Sequence, residues 1–303
     1  MQRQVELIGA AWGLGGVDAG CAEAPSVLAP LIQVGLRARG VPVLFGPMLA
    51  PLPVEKRKRL ALSRLCGQLA AAVGASLRAG RLPCVLGGDH TCAAGTWSGV
   101  ARALPGPLGL VWVDAHMDSH TPATSPSGRM HGMPLAWLLG EDDDRLCGLD
   151  AGVLDARRVC LVGVRSFEPE EAQRLARLGV RVFFIEEIER RGLDAVFDEA
   201  LRLVTEGTAG FGVSIDLDAI TPEEAPGVAT PAPHGIRSRE LAKALARAGG
   251  DPRLAALELV EYCPRLDRGA RTAQVAVDLL LAALSGARDD PQVLADALER
   301  KQP

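Results

Sequence analysis

The sequence predicts an α/β fold of three layers, in which a central, mostly parallel sheet lies between two layers of helices. Two observations lead to this prediction. Short apolar runs alternate with longer amphipathic segments along the chain, which is the pattern of successive right-handed βαβ units. Most of the short runs are apolar on both faces, as expected of strands that helices cover on each side of the sheet.

The short apolar runs predict eight strands, and the segments between them predict seven helices. The strands are QVELIGA (4–10), VPVLFG (41–46), LPCVLGG (82–88), LGLVWVDAH (108–116), RVCLVGV (158–164), RVFFIE (181–186), GFGVSIDLD (210–218) and LAALELVEY (254–262). The helices span roughly residues 24–39, 55–79, 91–103, 168–178, 192–206, 237–248 and 271–287. Another helix is expected at 291–301, near the end of the sequence.

The sequence favours one domain over residues 1–303. Its length is close to the size, about 250–300 residues, at which a single core stops growing. No Pro-, Gly- or Ser-rich linker and no repeat divides it. The irregular stretches 115–133 and 219–236 are long for connections in a compact domain, which favours functional loops.

Composition and charge argue against several classes of protein. The net charge of −4 lacks the basic excess that is typical of nucleic-acid binding. No apolar run reaches about 18 residues without a charge, and the first residues lack a signal-peptide core, so no membrane partner is expected. The seven cysteines form no CxxC pair, which favours reduced thiols and a cytoplasmic location.

Metal-capable side chains are concentrated in the stretch VDAHMDSHTPATSPSGRMHG (113–132), which follows an apolar strand and holds three of the five histidines. If the strand continues through Asp118, then Asp114, His116 and Asp118 project from one face. If the strand ends earlier, the loop can still curl the three side chains around one centre. In open parallel sheets, ligands bind outside this carboxyl end of the strands.

Three other predicted strands end in similar residues. Asp216 and Asp218 end one of them, Asp89 and His90 follow another, and Glu261 lies at the end of the last. If these strands are neighbours in a parallel sheet, their ends bring carboxylates and imidazoles to one crevice.

The whole set of strand-end residues is better explained by metal binding than by local structure. A single aspartate at such a position is ordinarily a helix N-cap or a turn residue. Four crowded carboxylates, however, repel one another unless some stay protonated or cations lie between them. Oxygen ligands with one or two imidazoles suit Mn and similar ions, and six ligands exceed the needs of one tetrahedral zinc. Because carboxylates can bridge, we expect two metals about 3.5–4 Å apart that hold an activated hydroxide.

These residues lie in segments that resemble the arginase/agmatinase (ureohydrolase) family, and arginase most of all. The segments follow the family's order and spacing across most of the chain. They are IGAAWGLGGVDAGCAEAPSVL (8–28), GGDH (87–90), DAHMD (114–118), SGRMHG (127–132), SIDLDAITPEEAPGVATP (214–231) and EYCP (261–264). The resemblance implies an arginase-like fold and a binuclear manganese hydrolase of a guanidino substrate, with L-arginine hydrolysed to L-ornithine and urea.

The resemblance also implies the metal ligands. One Mn ion would be held by His90, Asp114, Asp118 and Asp216, and the other by Asp114, His116, Asp216 and Asp218. Asp114 and Asp216 would therefore bridge the two ions. Co or Ni would be the alternative metals.

The resemblance further implies three catalytic roles. A hydroxide shared by the metals would attack the guanidinium carbon, and Asp118 would orient it. His131 would deliver a proton to the leaving amine, and Glu261 would pair with the guanidinium. This agrees with the chemistry, because a guanidinium is a poor electrophile that requires a potent nucleophile at neutral pH.

The loop HTPATSPSGRMHG resembles the arginase loop NTPLTTTSGNLHG, which binds the carboxylate of the substrate. Ser127 matches a carboxylate-binding serine, and Thr230 lies where the family pocket has a threonine. His120 and Arg129 each replace an asparagine. Arg129 could pair with a carboxylate through two hydrogen bonds or be a solvated loop residue, and His120 could contact the ligand or lie on the surface.

The resemblance favours an α-amino acid with a guanidino side chain as the substrate. Glu168 stands where arginase presents an aspartate to the substrate's α-amino group. The alternatives within the family are a guanidinobutyrase-like hydrolase of another guanidino acid and an agmatinase. Arg129 favours substrates that carry a carboxylate and disfavours agmatine. Family members assemble as homo-oligomers, so a trimer or a hexamer is implied.

Two other classes of protein fit less well. The stretch GLGGVDAG (13–20) is rich in glycine, as in a nucleotide-binding oxidoreductase, but Asp18 breaks the G-x-G-x-x-G pattern. A relative that has lost catalysis and only binds ligands would be expected to lack some functional residues. All six metal ligands, His131 and Glu261 are present.

Overall fold

A computed structural model describes residues 3–51, 57–141 and 149–285 of the chain. They form one eight-stranded sheet in the order β2-β1-β3-β8-β7-β4-β5-β6, and all strand pairs are parallel. The strands are β1 (Val5–Ala10), β2 (Val43–Leu49), β3 (Leu82–Gly87), β4 (Leu108–Val113), β5 (Val159–Val164), β6 (Arg181–Phe184), β7 (Gly210–Asp216) and β8 (Leu254–Val260).

Nine α-helices lie among the described residues. They are α1 (Ala24–Ala38), α2 (Lys58–Arg78), α3 (Ala93–Ala103), α4 (Pro134–Leu138), α5 (Pro169–Leu178), α6 (Ile185–Arg191), α7 (Leu193–Thr205), α8 (Ser238–Gly250) and α9 (Arg271–Ser285).

The helices form one layer on each face of the sheet, because side chains alternate between the two faces along every strand. In β4, Val111 and Val113 join the core that α1, α7, α8 and α9 cover. Leu110 and Trp112 face the other way, into the core that α2, α3 and α4 cover. The predicted three-layer α/β fold is therefore confirmed.

All eight predicted strands are present, but their ends differ from the predicted ones. The strands β4, β7 and β8 end at Val113, Asp216 and Val260, each two or three residues earlier than predicted. Two helices were not predicted: α4 directly follows the irregular stretch 115–133, and α6 begins directly after β6. The predicted helix 291–301 and Cys147 lie outside the described residues.

Two helical stretches have the length and mean hydropathy of a membrane span, namely Ala19–Ala38 and Lys58–Arg78. About half of each stretch is buried within the fold, at 44% and 50%. Their apolar residues, such as Leu28 in α1 and Leu65 in α2, belong to the two cores. Burial against the sheet accounts for the apolar character of both helices.

The order of the strands determines where the polar strand ends meet. The strands β3, β8, β7 and β4 are consecutive in the sheet, and they are the four that carry the predicted site residues at their carboxyl ends. The register places Asp216 beside Val260, and Val113 beside Ile215. These four ends consequently line one crevice at a single edge of the sheet.

Candidate metal centre and active site

Four side chains from three strand ends meet around one point. The Nδ1 atom of His90 lies 3.2 Å from Asp114 Oδ2, 3.0 Å from Asp118 Oδ2 and 3.1 Å from Asp216 Oδ2. All four residues are buried, and their ligand atoms lie within 4.8 Å of one another. One imidazole nitrogen and three carboxylate oxygens thus converge in a space that water barely reaches.

The hydrogen bonds of His90 indicate that its Nδ1 atom carries a lone pair. Its Nε2 atom lies 3.0 Å from Ser214 Oγ, and this hydroxyl donates to Glu258 Oε2 across 2.7 Å. Because the only hydroxyl proton of Ser214 goes to Glu258, Nε2 of His90 must donate to Ser214. In the neutral ring, Nδ1 is then an acceptor that faces three carboxylate oxygens. Such a donor set fits a divalent cation at its centre.

A second group shares Asp114 with the first. It consists of Asp114, His116 and Asp218. The Nδ1 atom of His116 lies 3.1 Å from Asp218 Oδ2 and 3.5 Å from Asp114 Oδ1. Asp114 thereby offers one oxygen to each group, the arrangement required of a bridging ligand. Asp216 belongs to the first group only, and its Oδ1 accepts a hydrogen bond from the Asp218 backbone.

The loop after β4 curls its side chains around one centre, rather than continuing as a strand. β4 ends at Val113, and Asp114 Oδ1 accepts a hydrogen bond from the backbone of His116. Asp118 has a φ of +47°, which lies in the left-handed region that non-glycine residues seldom adopt. This turn directs Asp118 back toward His90.

The electrostatics of the centre require positive charge. Burial and the nearby Asp114 carboxylate raise the pKa of Asp118 to about 6. Burial, followed by the charges of Asp218 and Asp114, raises the pKa of Asp216 well above its usual value. In a metal-free protein these carboxyls resist ionisation, whereas bound cations offset the repulsion. The residues present therefore fit a site for divalent metal ions.

A buried network behind His90 was missing from the predicted site. The carboxylate of Glu258 is fully buried and also accepts hydrogen bonds from Thr96 Oγ1 and Trp97 Nε1. The His90 ring stacks on Trp112, with ring centroids 4.1 Å apart. A lone glutamate in the apolar run LAALELV was the sequence signal for this network. It fixes the orientation of His90, which is the usual task of residues behind a metal ligand.

His131 lies at the wall of the centre and pairs with Glu261. Its Nδ1 atom lies 2.9 Å from Glu261 Oε1, and the same oxygen accepts a hydrogen bond from the His90 backbone. Burial lowers the pKa of His131, but the charge of Glu261 outweighs it and raises the pKa to about 9. In the metal-free protein the ring is therefore protonated at neutral pH, and Nε2 is the nitrogen left for exchange of a proton with a ligand.

Asp89 is a second buried residue without a predicted role. Its Oδ2 accepts hydrogen bonds from the backbone of Gly15 and Gly16, at 2.7 and 3.0 Å. The carbonyl of Gly15 in turn accepts a hydrogen bond from the backbone of His131. Asp89 therefore fastens the glycine-rich loop after β1 to the loop that carries His131.

A cavity of about 280 Å³ opens above the centre. Metal-group residues lie at its base, and His131 forms part of its wall. All five predicted substrate-binding residues line it, namely His120, Ser127, Arg129, Glu168 and Thr230. Glu261 is only 1% exposed and is absent from the lining, because it lies behind His131.

Comparison with known proteins identifies the family. The model of the arginase family matches residues 3–286, which is nearly the whole chain. This chain belongs to the arginase family. The arginase of Brevibacillus brevis is 41% identical over 215 residues, which cover 70% of this chain and 72% of that protein. The arginase of Bacillus caldovelox is 37% identical over 246 residues, covering 77% and 82% of the two chains.

Solved structures of arginases have the same architecture. The arginase of Bacillus subtilis aligns with a TM-score of 0.88 at 31% identity, over 95% of this chain and all of that one. The Entamoeba histolytica arginase, solved in complex with L-ornithine, aligns with a TM-score of 0.84 at 27% identity, over 94% and 99% of the two chains. Arginase-family enzymes are metal-dependent hydrolases, which agrees with the buried His/Asp groups of this chain.

His120 and Arg129 are the two cavity residues for which the sequence left two positions open. Arg129 is exposed and reaches the mouth of the cavity. His120 is buried, and its Nε2 lies 3.0 Å from Glu168 Oε2. Thr230 is also oriented from within the protein, since its hydroxyl donates to Asp218 Oδ2 at 3.0 Å. The arginase-family fold thus brings two buried His/Asp groups beneath a cavity whose lining includes His120, Arg129 and Thr230.

Proposed function

We propose that the chain is a manganese-dependent arginase that hydrolyses L-arginine to L-ornithine and urea. The observation that carries the proposal is the pair of His/Asp groups at the base of a cavity, in a chain of the arginase family. The names of the relatives support arginine as the substrate, and L-ornithine is bound in the Entamoeba histolytica structure.

We assign two Mn²⁺ ions to this centre. His90, Asp114, Asp118 and Asp216 would hold one ion. Asp114, His116 and Asp218 would hold the other, and the resemblance adds Asp216, which the structure groups with the first ion's ligands, as a further ligand. Bound divalent ions supply positive charge that lowers the pKa of a water molecule, which gives a nucleophile at neutral pH. Co²⁺ and Ni²⁺ are the alternative metals, because imidazole and carboxylate ligands also bind these ions.

The chain's own residues hold the nucleophile and move the proton. Asp118 borders the cavity and is placed to accept a hydrogen bond from the attacking water, which orients it toward the guanidinium carbon. His131, whose pKa the neighbouring Glu261 carboxylate raises, donates a proton from Nε2 to the leaving amine. Glu261 attracts the guanidinium and keeps His131 protonated, and its burial strengthens both effects.

The far end of the cavity binds the amino acid part of the substrate. Glu168 carries a half-exposed carboxylate, which pairs with the α-ammonium group. Ser127 and Arg129 lie at the mouth, where a hydroxyl and a guanidinium bind a carboxylate. Thr230 lines the wall near Asp218 and limits the space beside the guanidinium.

The alternative within the family is another guanidino-acid hydrolase of the guanidinobutyrase type, or an agmatinase. Arg129 at the mouth favours a substrate with a carboxylate. Urea release by the Mn-loaded protein from L-arginine, 4-guanidinobutyrate and agmatine separates the three. We expect the largest kcat/KM with L-arginine. Urea from either other compound but none from L-arginine would reject the arginase assignment.

Several broader expectations belong to the same proposal. We propose that residues 1–303 form one arginase-like domain, which the single sheet of the described residues supports. A homo-oligomer, trimer or hexamer, is proposed from the resemblance. A cytoplasmic location is proposed from the sequence, in which the cysteines are scattered and form no CxxC pair.

A further inference from the structure

His120 lies in the cavity wall with both ring nitrogens engaged inside the protein. Its side chain is 8% exposed, its Nε2 lies 3.0 Å from Glu168 Oε2, and its Nδ1 lies 3.2 Å from Thr124 Oγ1. The same Nε2 also lies 3.4 Å from Glu171 Oε2. The backbone N–H of His120 donates to the carbonyl of Gly132, so the backbone that carries the ring is held as well.

These contacts argue against binding of a substrate carboxylate by His120. A carboxylate near Nε2 would compete with Glu168 for the same donor and would lie beside its negative charge. The hydrogen bond from His120 is also the main reason that the pKa of Glu168 lies below its usual value. The imidazole therefore stabilises the ionised form of Glu168, which is the form that attracts a cation.

We infer that His120 is a positioning residue, which holds the Glu168 carboxylate in place for the α-ammonium group of the substrate. This inference rests on the proposed role of Glu168 as the partner of that group. His120 thereby contributes to binding of the amine end, and the substrate carboxylate is left to Ser127 and Arg129.

The surroundings of Glu168 explain why it needs such a partner. Its side chain is 50% exposed, so without a partner it samples many rotamers and loses that freedom when a ligand binds. The backbone of Glu168 is fixed at the start of α5, where its N–H donates to Glu171 Oε2. The Glu168 side chain also accepts a hydrogen bond from the Glu171 backbone in the capping box of α5, and Nε2 of His120 is the side-chain donor that holds Oε2.

Glu171 is less suited than Glu168 to bind the α-ammonium group. It is 3% exposed, and its carboxyl oxygens already accept hydrogen bonds from the backbone of Ser119 and Glu168. Burial raises the pKa of Glu171 to about 8. At neutral pH this carboxyl is mainly uncharged, so Glu168 is the anion that His120 presents to the cavity.

Binding of three ligands to the Mn-loaded protein tests the inference. Calorimetry gives the Kd of a ligand that is not hydrolysed, and the KM of urea release takes its place for a ligand that is. The ligands are L-arginine, agmatine, which lacks the carboxylate, and 5-guanidinopentanoate, which lacks the α-amino group. For His120→Ala we expect Kd to rise on the order of threefold to tenfold for arginine and agmatine. The Kd of 5-guanidinopentanoate stays unchanged. Glu170→Ala, an exposed neighbour of Glu168 on α5, is the control that changes none of the three.

Two conservative variants keep the test decisive if His120→Ala fails to fold. The amide nitrogen of a glutamine reaches the position of Nε2, whereas that of an asparagine reaches only the position of Nδ1. His120→Gln should therefore leave the Kd of agmatine unchanged, and His120→Asn should raise it. In a Glu168→Gln background, His120→Ala and His120→Asn should lose their effect, because the carboxylate that His120 positions is gone.

The opposite selectivity would overturn the inference. Weaker binding of arginine and 5-guanidinopentanoate, with agmatine unchanged, would make His120 a contact of the carboxylate. An equal loss for all three ligands, or no loss for any, would also contradict a role through Glu168. Urea release is measured separately in the unsubstituted protein, so a failure of the proposed hydrolysis is distinguished from a failure of the His120 assignment.

Discussion

The Nε2 atom of His90 donates a hydrogen bond to Ser214 Oγ across 3.0 Å. The Ser214 hydroxyl donates its own hydrogen bond to the buried carboxylate of Glu258, so Ser214 can only accept from His90. This direction leaves Nδ1 of His90 as the lone-pair atom that faces Asp114, Asp118 and Asp216. A residue of β7 thereby determines which nitrogen of His90 is offered to a metal ion.

Ser214→Ala is expected to weaken metal binding while the fold is kept. Without the hydroxyl, the His90 ring loses the partner that fixes its tautomer, and changes behind a metal ligand typically cost about 10–100-fold in metal affinity. The Mn²⁺ affinity is measured by titration of the metal-free protein. Ser98→Ala is the matched control, because Ser98 is buried and its hydroxyl has no partner among the described residues. Equal affinities in the two variants would contradict this prediction.

Glu261→Gln is expected to shift the pH dependence of turnover. The Glu261 carboxylate outweighs burial and raises the pKa of His131 to about 9, so loss of its charge lowers this pKa. If protonated His131 donates to the leaving amine, kcat falls as pH rises through its pKa. We therefore expect the fall at alkaline pH to begin at a lower pH in Glu261→Gln. A pH profile of kcat that keeps its alkaline side unchanged would contradict the assigned roles.

Metal ions are expected to stabilise the protein more at pH 7.5 than at pH 5.5. The pKa of Asp118 is raised from 3.8 to about 6 in the folded protein. A carboxyl with a raised folded pKa favours the folded state at low pH, and this contribution is lost as pH rises through about 6. The metal-free protein consequently carries more repulsion at pH 7.5, which bound Mn²⁺ relieves.

Thermal unfolding with EDTA or Mn²⁺ at both pH values measures this effect. The rise in Tm that Mn²⁺ causes should be larger at pH 7.5, because the ligands must also lose protons to bind. Equal rises at the two pH values would show that these carboxyls are not linked to metal binding.

Arg165→Ala is expected to destabilise the loops behind the metal centre. The half-buried guanidinium donates hydrogen bonds to five backbone carbonyls, those of Gly163, Asp218, Ala219, Ala232 and Pro233. Loss of charged donors to buried carbonyls costs roughly 3 kcal/mol in the free energy of unfolding. Arg157→Ala, whose side chain is 83% exposed, should change that free energy by less than about 0.5 kcal/mol. Denaturant unfolding measures both, and similar values for the two would contradict the account.

The strands could be predicted from the pattern of apolar residues, and the metal-capable residues could be predicted from their residue types at the strand ends. The order β3-β8-β7-β4 brings together the strand ends that carry His90, Glu261, Asp216 and Asp114. The ends of the strands were less predictable, because apolar and small residues continue beyond Val113 into the loop. Helix α6 was missed because Ile185 extends the apolar run of β6, and a short apolar run does not distinguish a strand from the start of a helix.

Contacts between residues that are far apart in the chain could not be predicted from the sequence. His120 and Glu168 are 48 residues apart, and neither residue type shows that the two are paired. The sequence left His120 as either a ligand contact or a surface residue, whereas the structure gives it a third position, buried and bound to Glu168. The network of Glu258 was missed for a similar reason, since its partners come from α3 and β7.

The most direct test of the central claim is the measurement of urea and ornithine from L-arginine. After removal of metal and reloading with Mn²⁺, we expect equal amounts of the two products and loss of turnover on return to EDTA. Asp216→Ala, which removes a ligand from the first metal group, should form neither product. Absence of urea from the Mn-loaded protein, or the same rate with and without metal, would contradict an arginase built on this centre.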